Sequence, residues 1–522
     1  MSSAMFRSRD SLLIDNAVVF DGTRVFAPGA VLVRDGVIRA VGEAGKVRAA
    51  AGAAGGADRG RPDLRRGAAS GSAGPAKRGR PVLRPDARPG TPGGPGRTTA
   101  PRRCDAGGRL VLPGLLNAHT HLYSAFAPGL VPQGPTQPFP KLLENLWWRL
   151  DAAHDEESVY YSALAGLIDN VKHGVTSVFE HHASMGYVAG SLATVAAAYA
   201  AAGVRGAVCF EMSERAGLDA VDAHLRENLD FFERHRDDPM LQGLLGLHAN
   251  LTLSNETLER IARERPDELP VHIHCGEAPE DLDRCRREGY EGPVDRLHRF
   301  GLLDAATILA HCIHLSDRDY ALLDEIGPMV VMNPESNANN AVGHLDPERI
   351  PDFLFGTDGM TGDPIGAARF HFLALRDGGA TLAGVHRGLF ENARKLLGWT
   401  FAPRGGDGAA EDGAPGDGAG AVGAVSPGGG DGAASPGELA PGAAADIAVL
   451  DYVPVAPIEA GSIVPHLIYG AGSGRAFMTI CDGRVLFENG TVTFLEEEQF
   501  NRDCRRVAAA LHRRFYEGRH HG

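Results

Sequence analysis

Between Leu110 and Trp399 short apolar runs alternate with stretches of helical periodicity. The runs are Val111–Leu115, Thr176–Phe179, Arg205–Phe210, Leu244–Leu247, Val271–Ile273, Thr307–Ala310, Met329–Met332 and Phe353–Phe355. Apolar residues at helical spacing fill Glu157–Lys172, Ser191–Ala202, Asp219–Arg236, Asn255–Arg265 and Thr381–Leu397. Strands alternating with helices predict a parallel sheet. Eight of them at this length predict a closed (β/α)₈ barrel over 113–403. The flanks read differently. Residues 11–47 and 445–487 alternate with period two, and each carries an Asp-Gly hairpin signal, Asp35-Gly36 and Asp482-Gly483. The two ends are therefore expected to pair into one small composite β-sandwich, 10–47 with 104–112 and 439–495. A terminal helix is expected at 496–515, within a 496–522 tail.

Two stretches follow neither period. Residues 48–103 are Ala, Gly, Pro and Arg, and 404–438 are Gly, Ala, Asp and Pro. Neither can bury a core, so both are expected to be disordered inserts. From Arg59 to Arg103 there are twelve Lys or Arg against two Asp. That bias fits either polyanion binding or a solvated loop, and the absence of aromatics for base stacking favours the loop. The Gly-rich run in 404–438 lacks the strand, Lys and helix of a phosphate loop.

Composition narrows the class. Hydrophobic residues at 43% and charged residues at 23% fit a globular chain, and a net charge of −14 argues against a general nucleic-acid partner. No apolar run reaches membrane-span length. The first fifteen residues lack an apolar signal core, and the seven cysteines form no Cys-x-x-Cys pair. Together these favour a reduced, cytoplasmic protein.

Barrel chemistry gathers where strands end. After the first strand come His119 and His121, which share one face of an extended chain and suit a divalent metal. After the fifth comes His272-Ile273-His274-Cys275-Gly276-Glu277, after the sixth His311-Cys312-Ile313-His314, and after the eighth Thr357-Asp358-Gly359. Cys275 and Cys312 are expected to be inert apolar groups.

These segments resemble the amidohydrolase superfamily: Leu112-Pro113-Gly114, His119-Thr120-His121, His274-Cys275-Gly276-Glu277, Ala310-His311-Cys312-Ile313-His314, Asn333-Pro334-Glu335-Ser336-Asn337 and Gly356-Thr357-Asp358-Gly359. The nearest branch is the deaminase and chlorohydrolase group. Glu144–Asp151 and Phe179–Ser184 are similar, more narrowly, to SsnA-type aminohydrolases. The resemblance implies one Zn²⁺, or Fe²⁺, held by His119, His121, His274 and Asp358. A bridging Lys after strand 4, the mark of two-metal members, has no counterpart in Leu247-His248-Ala249-Asn250. It implies that Glu277 shuttles a proton, with His311 and Asp358 positioning water and taking its proton. His248, His181 and Trp148 become candidate substrate contacts. The implied reaction is hydrolysis of a non-peptide C–N bond in a small, cyclic, nitrogenous substrate, with release of ammonia. Chlorohydrolysis, cyclic-amide hydrolysis and an inactive scaffold are the rivals, and a homodimer is the assembly to test. His272 and His314 read as structural histidines. Glu180-His181-His182 reads equally as substrate contact or structural pairing, and Asn333, Ser336 and Asn337 read as loop-fixing.

Overall fold

The structure is a computed structural model that describes residues 9–53, 100–401 and 436–518. Its centre is a ring of parallel strands: β1 (Leu115–Thr120), β2 (Val175–His182), β3 (Arg205–Phe210), β4 (Leu241–Gly243 and Leu245–Ala249), β5 (Val271–Cys275), β6 (Ile308–His311), β7 (Met329–Met332) and β8 (Leu354–Phe355). Each pairs in parallel with the next. A bridge from Thr120 to Asp358 ties the last strand's exit to the first, and one from Met212 to Leu247 ties β3 to β4. The fold is thus a (β/α)₈ barrel. Its strands are buried on both faces, which is why they read as continuous apolar runs rather than alternating ones.

The second layer is a nine-stranded sheet drawn from both ends of the chain. Leu110–Pro113 joins its halves, parallel to Leu12–Phe20 on one side and antiparallel to Ile447–Leu450 on the other. Leu12, Ile14, Val31, Val111, Ile447 and Met478 form its own core. The terminal helix, Glu497–Glu517, buries Phe500, Val507, Leu511 and Phe515. It packs on helices Glu156–Lys172 and Trp148–Ala153. Among the described residues no helix is long and apolar enough to cross a membrane.

Four expectations need correction. The run Val111–Leu115 is not the first barrel strand: Leu110–Pro113 belongs to the outer sheet, the chain turns at Gly114, and β1 begins at Leu115. A Cβ on Gly114 would run into the Thr176 side chain, so the apolar run hides a junction between two sheets. Residues 48–53 are not part of a featureless insert. They finish a helix, Ala44–Ala53, whose Ala44, Val47 and Ala51 pack on Leu13, Ala30 and Leu32. Alanine is the best helix former, so a dense run of it continues the helix although its composition resembles low complexity. Arg102 and Arg103 likewise lie in a strand, Arg102–Asp105, beside Leu12–Phe20. Finally, Thr381–Leu397 divides into Leu382–His386, a π-turn at Arg387–Glu391 and Asn392–Thr400. Residues 54–99 of the first proposed insert and 404–435 of the second, and with them most of the basic tract weighed as a polyanion site, lie outside the described residues.

Candidate active site and metal centre

Asn117, His119 and His121 alternate along β1, so both imidazoles leave the strand toward the same end. His274 arrives from β5, and Asp358 from the turn after β8. One ligand atom from each of His119, His121, His274 and Asp358 falls within 4.8 Å of all the others, and all four residues are buried. His121 Nε2 lies 2.8 Å from Asp358 Oδ1 and 3.1 Å from His274 Nε2. His119 Nε2 lies 3.5 Å from the same carboxylate oxygen and has no hydrogen-bond partner.

The hydrogen bonds behind these rings decide where their protons sit. His121 Nδ1 donates to the His181 carbonyl at 2.6 Å and His274 Nδ1 to the His248 carbonyl at 2.9 Å. A carbonyl only accepts, so each neutral ring turns the Nε2 lone pair inward. Two such lone pairs 3.1 Å apart, beside a carboxylate, require a cation between them. Burial alone would depress His121, yet Asp358 overrides it and holds the imidazole up at about 9, so a proton occupies the place when nothing else does. Burial and the neighbouring imidazoles hold His274 well below its ordinary value. Burial opposes ionisation of Asp358, but His119 and His121 outweigh it and keep the carboxyl low. This donor set fits a divalent metal such as zinc or iron.

The structure places His311 and Glu277 beside this centre. His311 Nδ1 lies 2.8 Å from Asn337 Oδ1, so it carries the proton, and the unpartnered Nε2 faces Glu277 Oε2 at 3.7 Å. Asn337 therefore orients His311 and is more than a loop fastener. Asn340 Nδ2 donates to Glu277 Oε1 at 3.2 Å. Burial pushes Glu277 up to about 7, with His311 opposing and Asp358 reinforcing. Two of these side chains leave strained backbone: φ is 75° at His311 and 53° at Asp358. Such left-handed residues cost about 1–3 kcal/mol each and collect at functional sites.

Gly276 makes the turn that carries Glu277 back over the centre. Its φ is +59°, and a Cβ there would meet the His314 carbonyl at 2.7 Å. Gly276→Ala is therefore expected to cost about 1–2 kcal/mol in urea unfolding and to lower turnover with it. Unchanged stability and turnover would show the turn to be tolerant.

A cavity of about 50 Å³ opens onto the centre, lined by His121, His274, Glu277 and Asp358 together with Trp147, Trp148, Phe139, Glu211, His248 and Asn340. Trp148 and His248 are thus at its wall, 6.1 Å apart edge to face. His181 is not: it is fully buried, with Nε2 against the Leu247 and His272 carbonyls at 3.1 and 3.2 Å. Glu180 accepts from the Leu122 amide, and His314 Nε2 bonds the Val342 carbonyl, so both hold loops. His272 Nε2 sits 2.9 Å from His119 Nδ1 and sets that ring's orientation. Glu211, the first residue beyond β3, escaped the sequence reading, although the strand-end rule covers it. Its burial rests on Arg215, four residues on.

Residues 110–395, more than half of the chain, match the amidohydrolase family. The chain belongs to that family. Among this amidohydrolase's curated relatives is a 5-methylthioadenosine/S-adenosylhomocysteine deaminase of Haloarcula marismortui, 27% identical over 80% of this chain and 90% of that one. An adenosine deaminase from Xanthomonas campestris with bound zinc shares its fold with a TM-score of 0.71 at 20% identity, covering 96% of this chain and 98% of that one. Atrazine chlorohydrolase TrzN from Arthrobacter aurescens, complexed with zinc, superposes with a TM-score of 0.66 at 17% identity over 95% of this chain and the whole of that one.

Proposed function

We propose that this amidohydrolase is a mononuclear metal-dependent aminohydrolase, which cleaves a C–N bond on a small nitrogenous ring and releases ammonia. The observation that carries this reading is the convergence of three imidazoles and one carboxylate, with Glu277 and His311 poised beside them. His119, His121, His274 and Asp358 would hold the ion, zinc first and iron second. The absence of a lysine at the end of β4 supports one ion rather than two. When bound, such a metal acts as a Lewis acid that brings the pKa of water from 15.7 to about 7.

The chain's own groups supply the rest. His311 has a free Nε2 lone pair to accept the proton of the attacking water. The resulting imidazolium then faces the oxygen of the attacked carbon, a contribution commonly worth about 2.7–4 kcal/mol per donor. Glu277, whose carboxyl burial pushes up to about 7, gives its proton to the ring nitrogen. Its carboxylate then carries the adduct's hydroxyl proton to the amine, which leaves as ammonia, and His311 returns the water's proton to Glu277. Phe139, Trp147 and Trp148 cover the ring and exclude bulk water. Seven unpaired cysteines support a reducing, cytoplasmic setting.

Ammonia release from a panel of amino-substituted pyrimidines, purines, purine nucleosides and triazines tests this reading, with chloride release as a parallel assay. Silence across the amino compounds with zinc or iron loaded would overturn it. Chelation should abolish release and lower the melting temperature. Restoring metal at a thousandfold over its dissociation constant should stabilise the fold by about 4 kcal/mol. A melting curve indifferent to chelator would remove the metal from the account.

A further inference from the structure

Beside the proposed metal centre lies a second cluster that this chemistry leaves unused. Glu211, from the end of β3, is 3% exposed and presents both oxygens to imidazoles. Its Oε2 lies 3.7 Å from His181 Nδ1 and its Oε1 3.9 Å from His248 Nε2. The protons of both rings are spent elsewhere. His181 Nε2 faces two carbonyls, so it carries the hydrogen and Nδ1 is a bare lone pair without any partner. Thr252 Oγ1 donates to the Ala249 carbonyl and so accepts from His248 Nδ1, which leaves Nε2 of His248 a lone pair as well. Three acceptors thus meet with no hydrogen among them.

One guanidinium closes the far side of the cluster. Arg215 binds both Glu211 and Asp151, one guanidinium for two buried carboxylates. Asp151 Oδ1 has no partner, and burial pushes that carboxyl up to about 8 against the pull of Arg215. What the cluster lacks is a hydrogen-bond donor between Glu211 and the two rings. It does not lack access, because Glu211, His248 and Trp148 line the same cavity as Glu277.

We propose that Glu211, with His248 and His181 behind it, is an acceptor-only subsite that selects substrates presenting an N–H donor edge, of amidine or guanidine type, away from the reacting carbon. The proposal rests on the aminohydrolase reading and narrows its substrate class. A carboxylate or phosphate at that end would meet Glu211 head-on and is excluded. A second dication fits poorly, because Arg215 already covers one flank of the carboxylate. The cavity holds on the order of four waters, which suits a single ring.

Binding to the zinc-loaded full chain, read by stopped-flow ahead of any turnover, tests this with two one-ring probes, 2,4-diaminopyrimidine and cytosine, which differ by an amine against a carbonyl. The wild type is expected to bind the diamine at least tenfold more tightly. Glu211→Gln, which keeps the shape and loses the charge, should bring the ratio below threefold with zinc still at one per chain. A wild-type ratio below twofold, or no binding of either probe, overturns the proposal, and this is read on the unaltered protein whether or not the variant folds. A soluble variant with an unchanged ratio also overturns it. So does a second zinc equivalent that is lost in Glu211→Gln, which assigns the cluster to a metal. Because binding is measured without turnover, failure of the ammonia screen strikes the reaction and leaves the subsite standing, and the reverse holds equally.

Discussion

Glu277→Gln is expected to keep its metal and lose its turnover. Glutamine matches the shape of glutamate and cannot carry the proton, and positioned acid–base groups contribute roughly 10²- to 10⁴-fold to rate. Glu277 is not one of the four proposed ligands; its partners are Asn340 and His311. Metal content by elemental analysis should therefore stay near one per chain while kcat falls by two to four orders of magnitude. Folding should not suffer, since an amide is cheaper to bury than a carboxyl pushed up to about 7. The pH profile gives a second check. A proton donor is lost as pH rises through its pKa, so wild-type kcat/KM should carry an alkaline limb that starts near neutrality. That limb should be missing from the residual rate of the variant. Full activity in Glu277→Gln would take the residue out of the mechanism and revive the idea of a scaffold with an idle site.

His119→Ala should lose metal and activity together. Its Nε2 is buried with no partner except the proposed ion, and Nδ1 is clamped by His272. Removing an outer-shell partner of a metal ligand typically costs 10- to 100-fold in metal affinity, so loss of a ligand should exceed about 100-fold. The variant also strands His272 Nε2 in a buried pocket, a cost of about 1–3 kcal/mol. After dialysis against a metal-free buffer the alanine variant should emerge without zinc. Undiminished metal content would refute the assignment of His119 as a ligand.

Much of this architecture could be read from the chain because a barrel strand buried on both faces leaves a continuous apolar run. His119 and His121 were visible for a similar reason: alternation on an extended strand needs no tertiary information. The failures have physical causes too. Leu110 to Leu116 is one unbroken apolar run, although Pro113 and Leu115 belong to different sheets. Helices Pro279–Arg287, Pro293–Arg299, Pro334–Asn340 and Pro364–Ala374 each begin with a proline in the first turn. The first three, of nine residues or fewer, are too short for periodicity to announce them. Glu211 lies in Glu211-Met212-Ser213-Glu214-Arg215, which reads as a solvated loop until Arg215 folds back on it. The tautomers of His181, His248 and His311 depend on carbonyls and amides from other strands, and no pattern in the sequence encodes them.

The strand Leu110–Pro113 imposes an order on synthesis. Its one neighbour, Leu12–Phe20, has already left the ribosome when it appears, whereas the other, Ile447–Leu450, follows only after every barrel strand has been translated. Throughout that interval the growing polypeptide carries an open, apolar sheet margin, the kind that recruits stray strands from other molecules. Chains stalled or cut before Ile447 should accordingly accumulate as aggregates, and nascent full-length chains should depend on holdase chaperones until the final pairing seals the margin.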